Sequence, residues 1–215
     1  MCRILCIAGQ SPFEIDPHLD VFAGIAEHSR EYQGHGWGCS WLTDGGWRHY
    51  HDIRPIWEDP TRDFGHTRLL LVHARSAFRD EGIVVENNMP FTDERTVFIF
   101  NGELNGVRIK ADGRIGAEKI FNYIKRFDKG DLLDALTRAV GVIKNRTRYI
   151  RAMNLIMATS QTVYSASLFH ETPEYFQMHQ VQRDGLRFIC SEAYPGETDW
   201  QPVENGAISA FDVGS

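Results

Sequence analysis

FIFNGELNG, residues 98–106, sets an apolar run against an abrupt Asn101-Gly102 pair. Two readings are open. Asn-Gly is a strong turn dipeptide, because both residues tolerate backbone conformations that other side chains resist. At a strand end, however, an Asn side-chain amide and the neighbouring Gly N–H can aim at one oxygen. Donors held where negative charge develops contribute about 3 kcal/mol each to acyl transfer. The pair is therefore a turn or an oxyanion hole, and the choice depends on what else the chain brings to it.

Two other stretches bear on that choice. LLLVHAR, residues 69–75, is an apolar strand-like run ending in Arg75. A guanidinium there suits either a surface ion pair or a substrate carboxylate, which it would grip with two parallel charge-assisted bonds. MCRILCIAG, residues 1–9, places Cys2 behind the initiator. A free cysteine is commonly a packing residue. A small residue after Met1 also invites removal of the initiator, which would leave Cys2 with both a thiol and a free α-amine. An α-amine has an ordinary pKa near 8, so it can take the thiol proton near neutral pH without a histidine.

Bulk properties narrow the classes. The 215 residues are 42% apolar and 12% aromatic, enough for one substantial core, and a single domain over 1–215 is expected. A net charge of -6 offers no basic face for nucleic acid. The chain has no apolar run of roughly 18 residues and no leader pattern at its start, so a cytoplasmic protein with no membrane partner is expected. The remaining cysteines, Cys6, Cys39 and Cys190, lack metal-ligand spacing and are read as packing thiols. His49 and His51, with His35 or His73, form a weak metal candidate without a supporting acid or thiol, and no metal or other cofactor is expected.

Strand-like runs are read at 2–8, 69–73 and 96–100, with a hairpin over 35–52 turning at Thr43-Asp44-Gly45-Gly46. Helices are read at 16–30, 115–127 and 131–148 from their apolar stripes. Further strands follow near 153–160, 162–169, 175–183, 186–191 and 207–212. Strands, then helices, then strands again indicate a layered α+β domain with helices covering the sheets.

The ordered set of Cys2, His-Gly-Trp-Gly at 35–38, His73-Ala74-Arg75, Asn88-Met89-Pro90-Phe91, Asn101-Gly102-Glu103-Leu104 and Ser191-Glu192, followed by Trp200, Pro202 and Gly206, resembles the class II glutamine amidotransferase domain. That domain is a branch of the N-terminal-nucleophile hydrolases, and the likeness is to its stand-alone members. The resemblance implies a four-layer αββα sandwich of two mainly antiparallel sheets. It implies Cys2 as nucleophile, its α-amine as base, Asn101 with the Gly102 N–H as oxyanion hole, and Arg75 as the carboxylate ligand. Ser191-Glu192 is read as a strand end and not as catalytic.

The sequence departs from the family at three substrate positions. Ser76-Ala77-Phe78 replaces a threonine-bearing run, Met89 replaces a histidine, and Gly116 stands where an aspartate usually binds the α-ammonium of glutamine. Asp112, Glu86 and Asp93 are nearby acids without an assignable role. The expected activity is hydrolysis of the γ-amide of glutamine or of a γ-glutamyl compound through a Cys2 thioester. If ammonia is released, a separate synthetase subunit is expected, because the length leaves no room for a second catalytic domain. A non-catalytic ligand-binding or regulatory protein on the same fold is the alternative, and a homo-oligomer is left open.

Overall fold

The computed structural model describes residues 1–60 and 63–215. The sheets are best followed from β1, Arg3–Glu14, whose apolar run is explained by burial on both faces. Ile4, Cys6 and Ala8 point to one side with Leu69 and Leu71, whereas Leu5 and Ile7 point to the other with Leu70 and Val72. Alternate side chains of a strand serve opposite faces, so a continuous apolar run needs a cover on each.

One cover is α1, Asp16–Glu27, which lays Leu19, Phe22, Ala23 and Ala26 on Leu5 and Ile7. Pro17 fits its first turn, where the missing N–H would have no helical acceptor. The other cover is a second sheet. The first sheet contains β1 with β2 (Trp37–Thr43), β3 (Gly46–Asp52) and β4 (His66–Ala74). The second begins with β5 (Phe91–Thr92) and β6 (Val97–Val107). Two helices, α2 (Gly116–Lys125) and α3 (Leu132–Asn145), then cover the far face of the second sheet.

The chain returns through β7 (Thr147–Ala158) and β8 (Thr162–Ala166) in the second sheet, and a short helix, α4 (Pro173–Phe176), leads back to the first. Strands β9 (His179–Arg183), β10 (Leu186–Cys190) and β11 (Gln201–Pro202) extend the first sheet, and β12 (Ile208–Asp212) closes the second. The orders are β11-β9-β10-β1-β4-β2-β3 and β12-β8-β7-β6-β5. All the pairings are antiparallel. The α+β architecture is the expected one, helix layer, two sheets, helix layer.

Two local expectations are corrected. The strand expected to stop at Asn101 runs on to Val107, because β7 pairs along its length, Asn101 facing Asn154 and Val107 facing Thr147. Asn101-Gly102 is therefore not a turn. The strand expected over 175–183 begins as α4, since Pro173 at the first helical position starts a helical turn, and the strand forms only from His179. Among the described residues no helix is long and apolar enough to cross a membrane.

Candidate active site

The N-terminus lies at one end of the sandwich and is pinned from both flanks. Arg3 faces Ala74 across the β1–β4 ladder, so Cys2 arrives beside Arg75 and Ser76. The Ser76 N–H points to the Cys2 Sγ at 3.4 Å, and the thiol lies 3.6 Å from the Ser76 carbonyl. Cys2 as a residue is partly exposed, but crowding around its sulfur pushes the thiol pKa up. The chain-terminal ammonium, the Ser76 N–H and Arg75 oppose that rise without cancelling it.

Ser191-Glu192 forms the other flank. The Ile4 N–H donates to Ser191 Oγ at 3.1 Å, the Ser191 N–H donates to the Ile4 carbonyl, and Arg3 reaches the Ser191 carbonyl at 3.2 Å and Glu192 at 2.9 Å. The motif read as a strand end is thus an anchor for the first strand. Ser191→Ala leaves the buried Ile4 N–H without a partner. It should lower unfolding stability by about 1–3 kcal/mol, measured as a lower urea midpoint with unchanged slope.

Arg75 is buried, not the surface residue that a strand-end arginine suggests. Its guanidinium donates to Asn88 Oδ1 at 3.3 Å and to the Gly82 carbonyl at 2.9 Å, and no carboxylate among the described side chains pairs with it. Burial pushes its pKa down, the direction expected of a cation short of an anion. The His-Gly-Trp-Gly segment holds this arginine in place. Gly36 accepts from the Arg75 N–H, His35 donates its N–H to the Arg75 carbonyl, and the His35 ring accepts from Ala77 at 2.8 Å. Gly36, at φ +101°, must lack a side chain, since a Cβ would lie 2.1 Å from Asn88 Nδ2.

Asn101 sits on β6 at 0% exposure, and neither its amide nitrogen nor its amide oxygen has a hydrogen-bond partner among the described residues. Its cross-strand neighbour shows the contrast. Asn154 donates to the Phe176 carbonyl at 2.6 Å and accepts from Ser167 Oγ at 3.0 Å. Gly102 faces Met153, which exchanges both backbone bonds with Leu168 on its opposite side. Gly102 therefore stands at a non-hydrogen-bonded pair and turns its N–H away from β7. On that side β5 covers only Phe98 and Val97. A Cβ on Gly102 would meet the Ala152 carbonyl at 2.5 Å, so glycine is needed for this approach.

Met1 is itself held in place. Its ammonium pairs with the Glu31 carboxylate, its carbonyl accepts from Gln33 Nε2 at 2.6 Å and the Tyr175 hydroxyl at 3.2 Å, and its side chain, 8% exposed, packs against Ala152, Phe169, Tyr175 and Phe176. Glu31, Gln33 and Tyr175 carry no sequence signal as site residues. Glu31 resembles a solvated charge, and Tyr175 falls in an expected strand.

A cleft of about 360 Å³ is lined by His51, Glu86, Asn88, Arg114 and Glu118 among others; Asn88 links it to Arg75, but Cys2, Arg75 and Asn101 do not line it. Glu118 is tied to Arg114 at 2.6 Å, and Asp93 binds the Thr96 N–H and Lys125, so neither stands in for the aspartate missing at Gly116. Asp112 contributes a backbone carbonyl to Asn122. His49 bonds Ser40, His51 bonds the Pro90 carbonyl, and His73 is buried in the first sheet.

Burial, reinforced by the charge of Arg75, pushes the His73 pKa down to about 3. The unfolded chain binds this proton near pH 6.5, so stability is fully present above that pH and falls as pH drops from about 6.5 toward 3. The slope should reach about 1.4 kcal/mol per pH unit for this group. Urea midpoints between pH 7 and pH 5 check it, with His73→Gln flattening the dependence.

The fold is shared with solved glutamine amidotransferase structures of low sequence identity. No protein-family model and no curated protein matches the chain. Solved structures do. A glutamine aminotransferase class-II domain protein from Silicibacter pomeroyi superposes with a TM-score of 0.65 at 18% identity, covering 99% of each chain. A predicted glutamine amidotransferase from Pseudomonas aeruginosa gives 0.64 at 16%, covering 100% of this chain and 98% of that one. Glutamine phosphoribosylpyrophosphate amidotransferase from B. subtilis gives 0.69 at 16%, with 99% of this chain matched to 49% of the longer one.

Proposed function

We propose that residues 1–215 form one catalytic unit, an amidohydrolase acting on the γ-amide of glutamine or of a γ-glutamyl compound once Met1 has been removed. The carrying observation is the fully buried Asn101 amide with no hydrogen-bond partner among the described residues. A native core leaves few such groups, and each one calls for an explanation. A ligand oxygen supplies one here, with the Gly102 N–H as its second donor. The buried Arg75, without a carboxylate partner among the described side chains, asks independently for an anion and suits the α-carboxylate of the glutamyl group.

In this reading the Cys2 α-amine takes the thiol proton and the thiolate attacks the γ-carbonyl carbon. The oxygen gains charge against Asn101 Nδ2 and the Gly102 N–H. The C–N bond then breaks, and the amine leaves with the proton from the Cys2 ammonium. Water, deprotonated by the same amine, cleaves the thioester to glutamate. Where the leaving group is ammonia, a separate synthetase is the natural consumer of it.

The test is intact mass after exposure to a diazo-ketone analogue of glutamine. Processed protein should gain one adduct on Cys2, and Cys2→Ala none. An unlabelled Cys2 in processed protein, together with binding of glutamine, would replace this reading with that of a non-catalytic binding protein.

A further inference from the structure

The seat of Met1 has the features of a binding site for an amine-bearing group. A carboxylate, Glu31, holds a primary ammonium. An apolar floor of Ala152, Phe169, Tyr175 and Phe176 holds the side chain next to that ammonium. Gln33 is 0% exposed, and its Oε1 has no hydrogen-bond partner among the described residues although its Nε2 binds the Met1 carbonyl. The seat therefore keeps an unused acceptor oxygen at its wall.

Its charge is unbalanced. Arg151 lies 3.0 Å from Glu31, 3.3 Å from Glu103 and 3.6 Å from Glu171, one guanidinium among three carboxylates. Burial raises the Glu31 pKa, but bonds from the Met1 ammonium and from Arg151 outweigh it and hold the group below the usual range. Excision of Met1 removes one cation and leaves Arg151 in place, so Glu31 stays ionised and the cluster carries excess negative charge. Arg3 is pinned by Ser191 and Glu192. The new Cys2 amine therefore stays about one residue, roughly 3.5 Å of chain, short of the place that the Met1 ammonium held.

The seat adjoins the Asn101-Gly102 pair. Its floor residue Ala152 borders Gly102, and Phe176 accepts from Asn154, the partner of Asn101. An acyl group on Cys2 with its oxygen at Asn101-Gly102 has the seat next to it, and Arg75 lies on the other flank of Cys2.

We propose that the vacated Met1 seat binds the amine portion of a γ-glutamyl amide whose leaving group is an aliphatic chain ending in a second, cationic amine, with Glu31 as the ammonium ligand. The inference rests on the hydrolase reading above and names its substrate class. Hydrolysis breaks the C–N bond of the γ-amide and adds water, giving glutamate and the free diamine, and no other reactant is needed.

The experiment uses processed protein, verified by intact mass, and measures glutamate release from γ-glutamylputrescine, from its neutral counterpart γ-glutamylpentylamine, and from glutamine. The putrescine conjugate should exceed the pentylamine conjugate in kcat/KM by about 10- to 100-fold. Glu31→Gln should bring that ratio near one. Equal rates for the two conjugates on unaltered protein would overturn the seat and leave the hydrolase reading standing. Release from none of the three would overturn the hydrolase reading instead. Calorimetric titration of putrescine into processed Cys2→Ala then judges the seat alone: binding that Glu31→Gln removes supports it, and absence of binding overturns it.

Discussion

Replacing Asn101 with alanine should move activity and stability in opposite directions. Loss of one oxyanion donor is expected to lower kcat by roughly 10²- to 10³-fold, with KM little changed because the donor acts mainly on the developing charge. The same change removes a buried amide that has no hydrogen-bond partner among the described residues. Leaving such a group unpaired costs about 1–3 kcal/mol, which offsets the small cavity left by truncation. The variant should therefore unfold at the same urea concentration as the parent or at a higher one. A steady-state assay and a urea titration on the same preparation check both halves. A stability loss above about 2 kcal/mol would mean that the amide is satisfied in the native protein and would undo the assignment.

The second large effect concerns the terminus. Protein that retains Met1 should hydrolyse no γ-glutamyl substrate at a measurable rate, whereas processed protein should be faster by about a thousandfold or more, the scale set by removing a nucleophile or its base. Three observations combine in this expectation. The ammonium of the unprocessed chain belongs to Met1 and is held by Glu31, the Cys2 nitrogen is locked in an amide, and burial keeps the thiol protonated. Preparations made with and without methionine aminopeptidase, each weighed intact, provide the comparison. Comparable rates in the two forms would remove the α-amine from the mechanism.

The layered fold was readable from apolar runs and stripes because its strands and helices face the core regularly. Arg3–Glu14 is apolar on both faces for a visible physical reason, a helix on one side and a sheet on the other. Asn101-Gly102, a turn dipeptide by propensity, lies within a paired strand. Turn propensity is a local property, and ten cross-strand pairings with β7 outweigh it. Cys2, Arg75 and Asn101 could be proposed because each has an uncommon chemistry at a strand end or terminus. The alternative of Arg75 as a surface ion pair is excluded by its burial, which is not written in one residue. Glu31, Gln33 and Tyr175 were out of reach for the same reason. They meet only in the folded chain, where the segment after α1, the second sheet and α4 come together around Met1.

The anchoring of the first strand by Ser191 and Glu192 has a consequence in time. On the ribosome the amino terminus emerges first, but its sheet partner on one side, β10, and the Ser191 anchor follow almost two hundred residues later. Until then Met1 is a free end. Once folding completes, its side chain is buried and its ammonium paired. In the proposed reading an aminopeptidase has a window that closes with folding, and a chain that folds early is expected to keep Met1. Aminopeptidase added to refolded full-length protein should trim Met1 far more slowly than when added to the denatured chain, as mass spectrometry over time would record.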